Sequence, residues 1–327
     1  MAAIETDGLT RYYDGLCAVD HLNLTVESGE LFAFLGPNGA GKTTTIRMLT
    51  GLIQPTEGTA LVDGLDIRSH PLEVKARVGV VPERSNLYGE LGARDNLIFT
   101  AQLYGLPRRQ WRTRADELLK QVGLSQRAET PFRALSRGLK RRLTIAAALV
   151  HRPSILFLDE PTTGLDVQSA RSLRSMIQDF RAEGVTIFLT THLIAEAERL
   201  CDRVGIIMEG KLVIVDTPSA LRRRYQDDDL RVEVVTPSPS EALRSALEGS
   251  ERITIVSSRR NRLRLDVRSL DEGLYEICRT MRQHHAPIEE IRTVNVSLED
   301  AFVKLTGMDV ETLEQEESSD GKGGENR

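Results

Sequence analysis

Apolar residues follow two alternating patterns along the chain. Short continuous apolar runs occur at residues 31–35 (LFAFL), 78–81 (VGVV), 155–158 (ILFL), 185–189 (VTIFL) and 204–208 (VGIIM). Residues 90–150 instead carry apolar side chains every three or four positions, which is the spacing of helices. Apolar runs that alternate with helices are typical of a parallel sheet covered on both faces. The pattern therefore predicts an α/β fold with a helical subdomain at about 84–152.

A second, smaller unit begins near residue 227. Its pattern predicts strands and helices at 230–235 (β), 241–247 (α), 252–256 (β), 262–267 (β), 270–283 (α) and 288–296 (β). This β-α-β-β-α-β order is that of a ferredoxin-like α+β domain. We therefore expect domains at 1–226 and 227–310. Residues 311–327 are acidic, rich in Ser and Gly and free of aromatic side chains, so we expect a disordered tail.

Charge and composition narrow the possible partners. The net charge is −5, and residues 309–327 account for it with seven acidic and two basic residues. The rest of the chain is balanced, so no basic excess indicates a nucleic-acid partner.

Three well-separated cysteines suggest neither a disulfide framework nor a zinc site. No apolar run approaches the roughly 18–20 residues that cross a bilayer, and the N-terminus lacks a secretory signal pattern. Work at a membrane would need another chain.

A phosphate-binding loop follows the first apolar run. Residues 36–44 (GPNGAGKTT) match the pattern G-x-x-x-x-G-K-[ST], between a predicted strand and a predicted helix. The candidate nucleotide-binding residues are Gly36, Pro37, Asn38, Gly39, Ala40, Gly41, Lys42, Thr43 and Thr44. The glycines let backbone N–H groups approach phosphate, and the helix N-terminus favours negative charge. We expect Lys42 to reach the β- and γ-phosphates of ATP, and the Thr43 hydroxyl to ligate Mg²⁺.

Two carboxylates follow the apolar run at 155–158. Asp159 and Glu160 come at the carboxyl end of a predicted parallel strand, which is the edge where α/β sheets collect their ligands. Asp159 is a candidate to hold Mg²⁺ through water, and Glu160 is a candidate general base for the attacking water. Without the phosphate-binding loop, a solvated strand end would be the better explanation of these two carboxylates.

Two further segments suit an anion site. His192, after the strand at 185–189, is placed to bond the γ-phosphate, although a lone histidine is more often structural. In LSRGLKRRL (135–143), Ser136 can cap a helix, and Gly138 lets backbone amides approach an anion. The alternative for this segment is a basic helix face that is solvated or binds nucleic acid.

These motifs occur in the order typical of one family. Over roughly its first 220 residues, the chain resembles the nucleotide-binding subunit of ATP-binding cassette (ABC) transporters. By this resemblance, Tyr13 is the adenine-stacking aromatic, with Tyr12 as its competitor. Asp166 ends the loop TGLD (163–166), through which two such domains sense each other. The chain departs from the family at Glu83, where glutamine is common, and at two positions of the helix-start motif, which are Arg137 and Leu139. The Glu83 carboxylate can approach Mg²⁺, but it adds negative charge beside the phosphates.

The same departures resemble a subgroup, the ATPases of type-2 exporters. The segments PERSNLY (82–88), LSRGLKRRL and SLEDAFVKLTG carry this narrower likeness. The resemblance implies a RecA-like parallel core, an antiparallel β subdomain and the helical subdomain. It also implies a second ATP-binding subunit, either an identical copy or a paralogue, arranged head to tail with this one. The pair would sandwich ATP and Mg²⁺ at the inner face of the cell membrane and power export through a separate permease. Residues 88–104 are the candidate permease contact. A non-transport ABC ATPase, regulatory or associated with ribosomes or nucleic acid, is the alternative.

Overall fold

The computed structural model describes residues 1–225, 230–237, 239–250, 252–259, 261–294 and 297–307. Contacts divide the chain into two compact units, the first covering Met1–Pro218 and the second beginning at Ser219. This division falls ahead of the expected boundary at 226/227. The tail expected at 311–327 lies outside the described residues.

The first unit combines strands and helices in an alternating order. Its strands are β1 (Ala2–Tyr13), β2 (Leu16–Leu22), β3 (Thr25–Glu27), β4 (Leu31–Leu35), β5 (Glu57–Val62), β6 (Leu65–Asp66), β7 (Val78–Val81), β8 (Ile155–Asp159), β9 (Thr186–Thr191), β10 (Arg203–Met208) and β11 (Lys211–Asp216). Its helices are α1 (Lys42–Leu49), α2 (Pro71–Arg77), α3 (Ala93–Leu103), α4 (Trp111–Gln121), α5 (Arg137–Ala148), α6 (Val167–Ala182) and α7 (Ile194–Leu200). Short 3-10 helices lie at Arg108–Gln110, Ser125–Arg127 and Phe132–Ala134.

Two sheets organise this unit. The central sheet has the strand order β11-β10-β4-β9-β8-β7, in which β10, β4, β9, β8 and β7 are parallel and β11 is antiparallel to β10. The second sheet has the order β2-β1-β5-β6, with β3 also paired to β1, and its pairings are antiparallel. The predicted parallel core and antiparallel subdomain are confirmed.

Aromatic side chains fill the centre of the parallel sheet. The ring of Phe188 lies 5.4 Å from those of Phe32 and Phe157 and 5.6 Å from that of Phe34, measured between centroids. All four side chains are fully buried, and burial of each contributes about 1.5–3 kcal/mol. This packing joins β4, β9 and β8 tightly, so the loops at their carboxyl ends start from fixed positions.

In the helical subdomain, a buried amide shapes the turn before α3. The Asn96 side chain is 1% exposed and accepts a hydrogen bond from the Tyr88 N–H at 2.9 Å. It donates to the carbonyls of Tyr88, Leu91 and Gly92, each at 3.1 Å. Both the oxygen and the nitrogen of this buried amide therefore have hydrogen-bond partners, and these bonds anchor residues 88–92 to the helix.

The second unit has the element order β-α-β-β-α-β, followed by a helix. After α8 (Pro218–Tyr225), which starts at the boundary, come β12 (Leu230–Val235), α9 (Glu241–Glu248), β13 (Ile253–Arg259), β14 (Arg262–Val267), α10 (Leu270–Gln283), β15 (Glu290–Thr293) and α11 (Leu298–Thr306). The strands form an antiparallel sheet in the order β13-β14-β12-β15. Val232 and Val234 of β12 belong to an apolar core with Leu243 of α9 and Ile277 of α10.

Alternate residues of β12 carry charge. Arg231 is buried and pairs with Asp266 at 2.7 Å and with Asp300 at 2.6 Å. Asp300 also completes a capping box with Ser297 at the start of α11. Because successive strand residues point to opposite faces, one face of this sheet is apolar and the other holds ion pairs.

Glu233 is the centre of a second set of ion pairs on this strand. Its side chain is 1% exposed, and its carboxylate lies 3.1 Å from Arg262, 3.1 Å from Arg264 and 2.5 Å from Arg292. Burial raises the pKa of Glu233, but the hydrogen bonds and charges of Arg292 and Arg264 outweigh burial and leave this pKa below its ordinary value. Glu233 therefore stabilises the fold above its unfolded-state pKa, and the stabilisation is lost as the pH falls through the lower folded-state pKa.

Replacing Glu233 by Gln should lower the free energy of unfolding of the second unit by about 1–2 kcal/mol at pH 7, because charge-assisted hydrogen bonds to three half-exposed arginines are lost. Denaturant unfolding of the full chain measures this loss, and the difference from wild type should shrink as the pH is lowered below about 4. Glu248→Gln, at the exposed end of α9, is the matched control. Equal stability of the two variants would contradict the role of Glu233.

Candidate nucleotide-binding and hydrolysis site

The phosphate-binding loop connects β4 to α1 in the middle of the parallel sheet. Gly39 and Gly41 adopt positive φ angles of 77° and 104°. At Gly41 a Cβ atom would lie 2.4 Å from the carbonyl oxygen of Ala18, and at Gly36 it would lie 2.3 Å from that of Ile207. Side chains are excluded at both positions by close backbone approach. The loop is therefore a backbone cradle, as the sequence pattern predicts.

Lys42 lies at the centre of the cradle. Its side chain is 6% exposed, and Nζ donates to the carbonyls of Gly36 at 2.7 Å and Pro37 at 3.1 Å. The same Nζ lies 3.3 Å from Oε1 of Glu160. Lys42 thus connects the loop after β4 to the loop after β8.

Both carboxylate oxygens of Asp159 have hydroxyl partners. Thr43 donates to Oδ2 at 2.9 Å, and Thr190 at the end of β9 donates to Oδ1 at 2.6 Å. The Asp159 side chain is nearly covered, so these bonds fix its orientation. A carboxylate beside a threonine hydroxyl suits Mg²⁺, which prefers oxygen ligands and keeps several waters.

Glu160 is held in a strained backbone conformation. Its φ is +45°, a left-handed conformation that costs an ordinary residue about 1–2 kcal/mol. Its N–H donates to the Thr190 carbonyl at 3.2 Å. Strain of this kind is typical of functional positions.

The Glu160 carboxylate is paired on both sides. Oε2 lies 3.0 Å from Nδ1 of His192 and accepts a 3.2 Å hydrogen bond from Thr163. Burial raises the pKa of Glu160, but the His192 hydrogen bond and the Lys42 charge outweigh burial and hold this pKa below its ordinary value. Glu160 is therefore ionised at neutral pH, which is the form that a general base needs.

Lys42, Thr43 and Glu160 open on one cleft of 170 Å³. It is lined by Ala18, Pro37, Asn38, Gly39, Gly41, Lys42, Thr43, Thr44, Glu83 and Glu160. Ala40 is buried next to the cleft and accepts a hydrogen bond from Gly210 through its carbonyl. The carboxyl ends of β4, β8 and β7 supply most of the lining, because parallel strands end at the same sheet edge.

Ser136, Gly138 and Asp166 form a separate cluster where α5 and α6 begin. Ser136 is exposed and caps α5 by accepting from the Leu139 N–H at 3.4 Å. Asp166 caps α6 by accepting from the Ser169 N–H at 2.8 Å. A Cβ atom on Gly138 would lie 2.6 Å from the Ser169 hydroxyl, so helix packing alone requires glycine there. None of the three lines the cleft of the same chain.

Tyr13 also lies apart from the cleft lining. It ends β1, is 36% exposed, and its ring centroid lies 4.6 Å from the guanidinium carbon of Arg11. Tyr12 beside it is 39% exposed. Both rings are accessible for stacking, and their similar exposure does not distinguish which of them would stack on adenine.

Sequence reasoning missed two groups of this site. Thr190 anchors Asp159 and the Glu160 backbone, and its only sequence signal is its place before His192 at a strand end. Arg141 belongs to the basic segment LSRGLKRRL, for which a solvated helix face is the alternative interpretation of the sequence. Arg137 is exposed, but Arg141 is 5% exposed and directed at main-chain carbonyls around Glu160.

Comparisons with known proteins agree with this site. Residues 19–163 match the ABC transporter family. The linearmycin resistance ATP-binding protein LnrL of Bacillus subtilis is 32% identical over 93% of this chain and 98% of its own length. The Nod factor export ATP-binding protein I of Paraburkholderia xenovorans is 39% identical over 95% and 99%. The daunorubicin/doxorubicin resistance ATP-binding protein DrrA of Streptomyces peucetius is 35% identical over 97% and 96%.

Solved structures show the same fold. CbiO1 of Clostridium perfringens, part of the ABC transporter complex cbiONQ, aligns with a TM-score of 0.63 at 30% identity, over 67% of this chain and 90% of that chain. The ATP-binding cassette MJ0796, as a post-hydrolysis dimer with ADP and Pi, aligns with a TM-score of 0.60 at 25% identity, over 65% and 98%.

The fold and the site thus define a phosphate-binding-loop ATPase of the cassette type. The chain belongs to the ABC transporter family as an ATP-binding subunit, and it is an ATPase. The relatives named for drug resistance and Nod factor export confirm the predicted likeness to type-2 exporter ATPases, and none of these names supports the non-transport alternative. Within the described ranges, every helix is too short or too polar to span a membrane.

Proposed function

We propose that the chain hydrolyses ATP with Mg²⁺ between two head-to-tail ATP-binding subunits and so powers export through a separate permease. One observation carries the proposal: Lys42, Thr43 and Glu160 line one cleft, with Asp159 bonded to the Thr43 hydroxyl, whereas Ser136 and Gly138 do not line the cleft of the same chain. The cleft therefore holds one half of an ATP site. The names of the relatives support export as the work done.

Within the cleft, each group has a distinct task. The loop amides and the α1 N-terminus bind the phosphates, and Lys42 exchanges its carbonyl partners for β- and γ-phosphate oxygens. Thr43, Asp159 and Glu83 are placed to hold Mg²⁺, which neutralises phosphate charge when bound.

Hydrolysis needs a base and a water in line with the γ-phosphorus. Glu160 accepts a proton from that water while the water oxygen bonds to phosphorus, and the bond to the β-phosphate bridging oxygen breaks to release ADP. His192 holds the Glu160 carboxylate through Nδ1 and keeps it ionised. Because Glu160 and His192 are fixed beforehand by burial and their mutual hydrogen bond, little reorganisation of the base is needed at the moment of reaction.

The second half of the ATP site comes from another subunit. Ser136 is exposed at the α5 N-terminus, where its hydroxyl and the free amides can meet the γ-phosphate on a facing chain. Asp166 begins α6 beside it and belongs to the same contact surface. The dimeric state of MJ0796 with ADP and Pi supports this arrangement. Tyr13 or Tyr12 would stack on the adenine.

The permease contact is assigned to an apolar groove of 530 Å³ beside the helical subdomain. Tyr88, Phe99, Leu103, Tyr104 and Pro82 are among the residues that line it. Leu103 is 70% and Tyr88 55% exposed, an apolar exposure that favours a docking surface. The occupant is a cytoplasmic segment of the permease, which places this subunit on the inner face of the cell membrane.

Replacing Leu103 by Glu should reduce recovery of the permease about tenfold or more when the chain is purified from its own membranes, because a charge then faces the apolar partner. ATP binding should stay at the wild-type level. Leu61→Glu, an exposed leucine of β5 outside the groove, should not reduce recovery. The proposal fails if no protein with several membrane spans accompanies the wild type, or if both variants recover it equally.

A further inference from the structure

Arg141 directs its guanidinium at the end of strand β8. It lies in α5, one turn beyond the cap at Ser136, and its side chain is buried at 5% exposure. Nη2 donates to the carbonyls of Asp159 at 2.6 Å and Glu160 at 2.8 Å, and Nε donates to that of Pro161 at 2.9 Å. Three consecutive carbonyls around the general base are therefore held by one side chain.

The remaining nitrogen of Arg141 binds the loop after β7. Nη1 donates to the carbonyl of Glu83 at 3.1 Å and also to that of Pro82. Guanidinium has five N–H donors in a fixed plane, and five carbonyls are bound here. Pro82 lines the apolar groove, whereas Glu83 lines the nucleotide cleft. Arg141 thus joins the backbone of the groove to the backbone of the catalytic strand.

A buried guanidinium bound to carbonyls has a physical cost. Burial lowers the pKa of Arg141 to about 10, although the negative charges of Asp159, Glu83 and Glu160 oppose this effect. Arg141 stays charged at neutral pH, since this pKa is well above 7. Its contacts are to main-chain atoms, so it fixes where the backbone lies rather than neutralising a carboxylate. A backbone clamp is needed at Glu160 in particular, because its φ of +45° is a conformation that relaxes unless it is held on both sides.

We propose that Arg141 is a positioning residue that holds the strained Glu160 peptide for hydrolysis and transmits docking in the groove to it. The transmission of docking, which is the coupling step, rests on the proposed function. The holding of the Glu160 peptide, which is the positioning step, needs only ATP hydrolysis. The Glu160 N–H is fixed by Thr190 and its carbonyl by Arg141. A shift of the Pro82–Glu83 backbone moves the rigid guanidinium plane, and with it the carbonyl of Glu160.

Arg141→Gln should lower kcat by roughly 10- to 100-fold, the scale of a displacement of about 1 Å at a catalytic group, with the ATP dissociation constant within threefold of wild type. Arg141→Lys should not restore kcat, because an ammonium keeps the charge but cannot span both loops as a planar fork. Arg114→Gln is the matched control. Arg114 also donates to main-chain carbonyls, those of Leu149 at 2.7 Å and Val150 at 3.1 Å, and its replacement should leave kcat within twofold.

A double-mutant cycle separates positioning from general stability. Because Arg141 acts through Glu160, Arg141→Gln should change turnover less than twofold in a Glu160→Gln background. Four outcomes would overturn the proposal: full additivity in that background, recovery of kcat by Arg141→Lys, a loss of ATP affinity as large as the loss of kcat, or failure of both Arg141 variants to fold while Arg114→Gln folds. Absence of a permease in membrane purification would instead defeat the proposed function and leave the positioning step standing.

Discussion

Glu160→Gln should retain ATP but hydrolyse it roughly 10²–10⁴ times more slowly than wild type, a loss of about 3–5 kcal/mol of barrier lowering. Glutamine has nearly the same shape and can keep a hydrogen bond to His192, but it cannot take a proton from the attacking water. Phosphate release at saturating ATP measures the turnover, and a binding titration on the same sample measures the affinity.

The matched control for this variant is Glu183→Gln. Glu183 is an exposed glutamate at the carboxyl end of α6, so the same chemical change there should leave turnover unaltered. Turnover of Glu160→Gln within tenfold of wild type would refute the assignment of Glu160 as the general base.

Lys42→Ala should instead weaken ATP binding, by about 10- to 100-fold, because charge-assisted hydrogen bonds to the phosphates are lost. The substitution also removes a contact between Lys42 and Glu160. Nζ also lies 3.3 Å from Oε1 of Glu160, so the variant leaves a buried carboxylate without its cationic neighbour. The dissociation constant for ATP, measured by titration calorimetry, reports the first effect directly.

Lys120→Ala provides the control for Lys42. Lys120 is exposed in the last turn of α4, and its removal should change neither affinity nor turnover. Unchanged ATP affinity in Lys42→Ala would count against the phosphate-binding loop. Under the proposed function Glu160 acts in the chemical step and Lys42 in binding, so the two main variants should differ in kind.

Sequence spacing was sufficient to predict the cleft but not its internal contacts. A strand, a glycine loop and a helix can join in few ways, so residues 36–44 predict the cradle from local pattern alone. Asp159 and His192 follow from the rule that parallel strands share one carboxyl edge. Arg141 could not be found this way, because its burial depends on two distant loops that approach α5 only in the folded chain. In the sequence it is one of several basic residues.

The ion cluster of the second unit shows the same limit. The alternating pattern of 230–235 predicts a strand, yet the partners of Glu233 depend on register. In the sheet Glu233 pairs with Arg264 of β14 on one side and with Arg292 of β15 on the other. A shift of one residue in either pairing would turn these arginines to the opposite face.

The most direct test of the account is the mass of the Glu160→Gln chain in solution with and without ATP. Ser136 and Gly138 do not line the cleft of their own chain, so under the proposed function a complete site takes them from a second subunit. With Mg²⁺ and ATP, the chain of 36.4 kDa should shift from one to two subunits and retain two ATP molecules per pair. A chain that binds ATP to saturation and still has the mass of a single subunit would contradict the account.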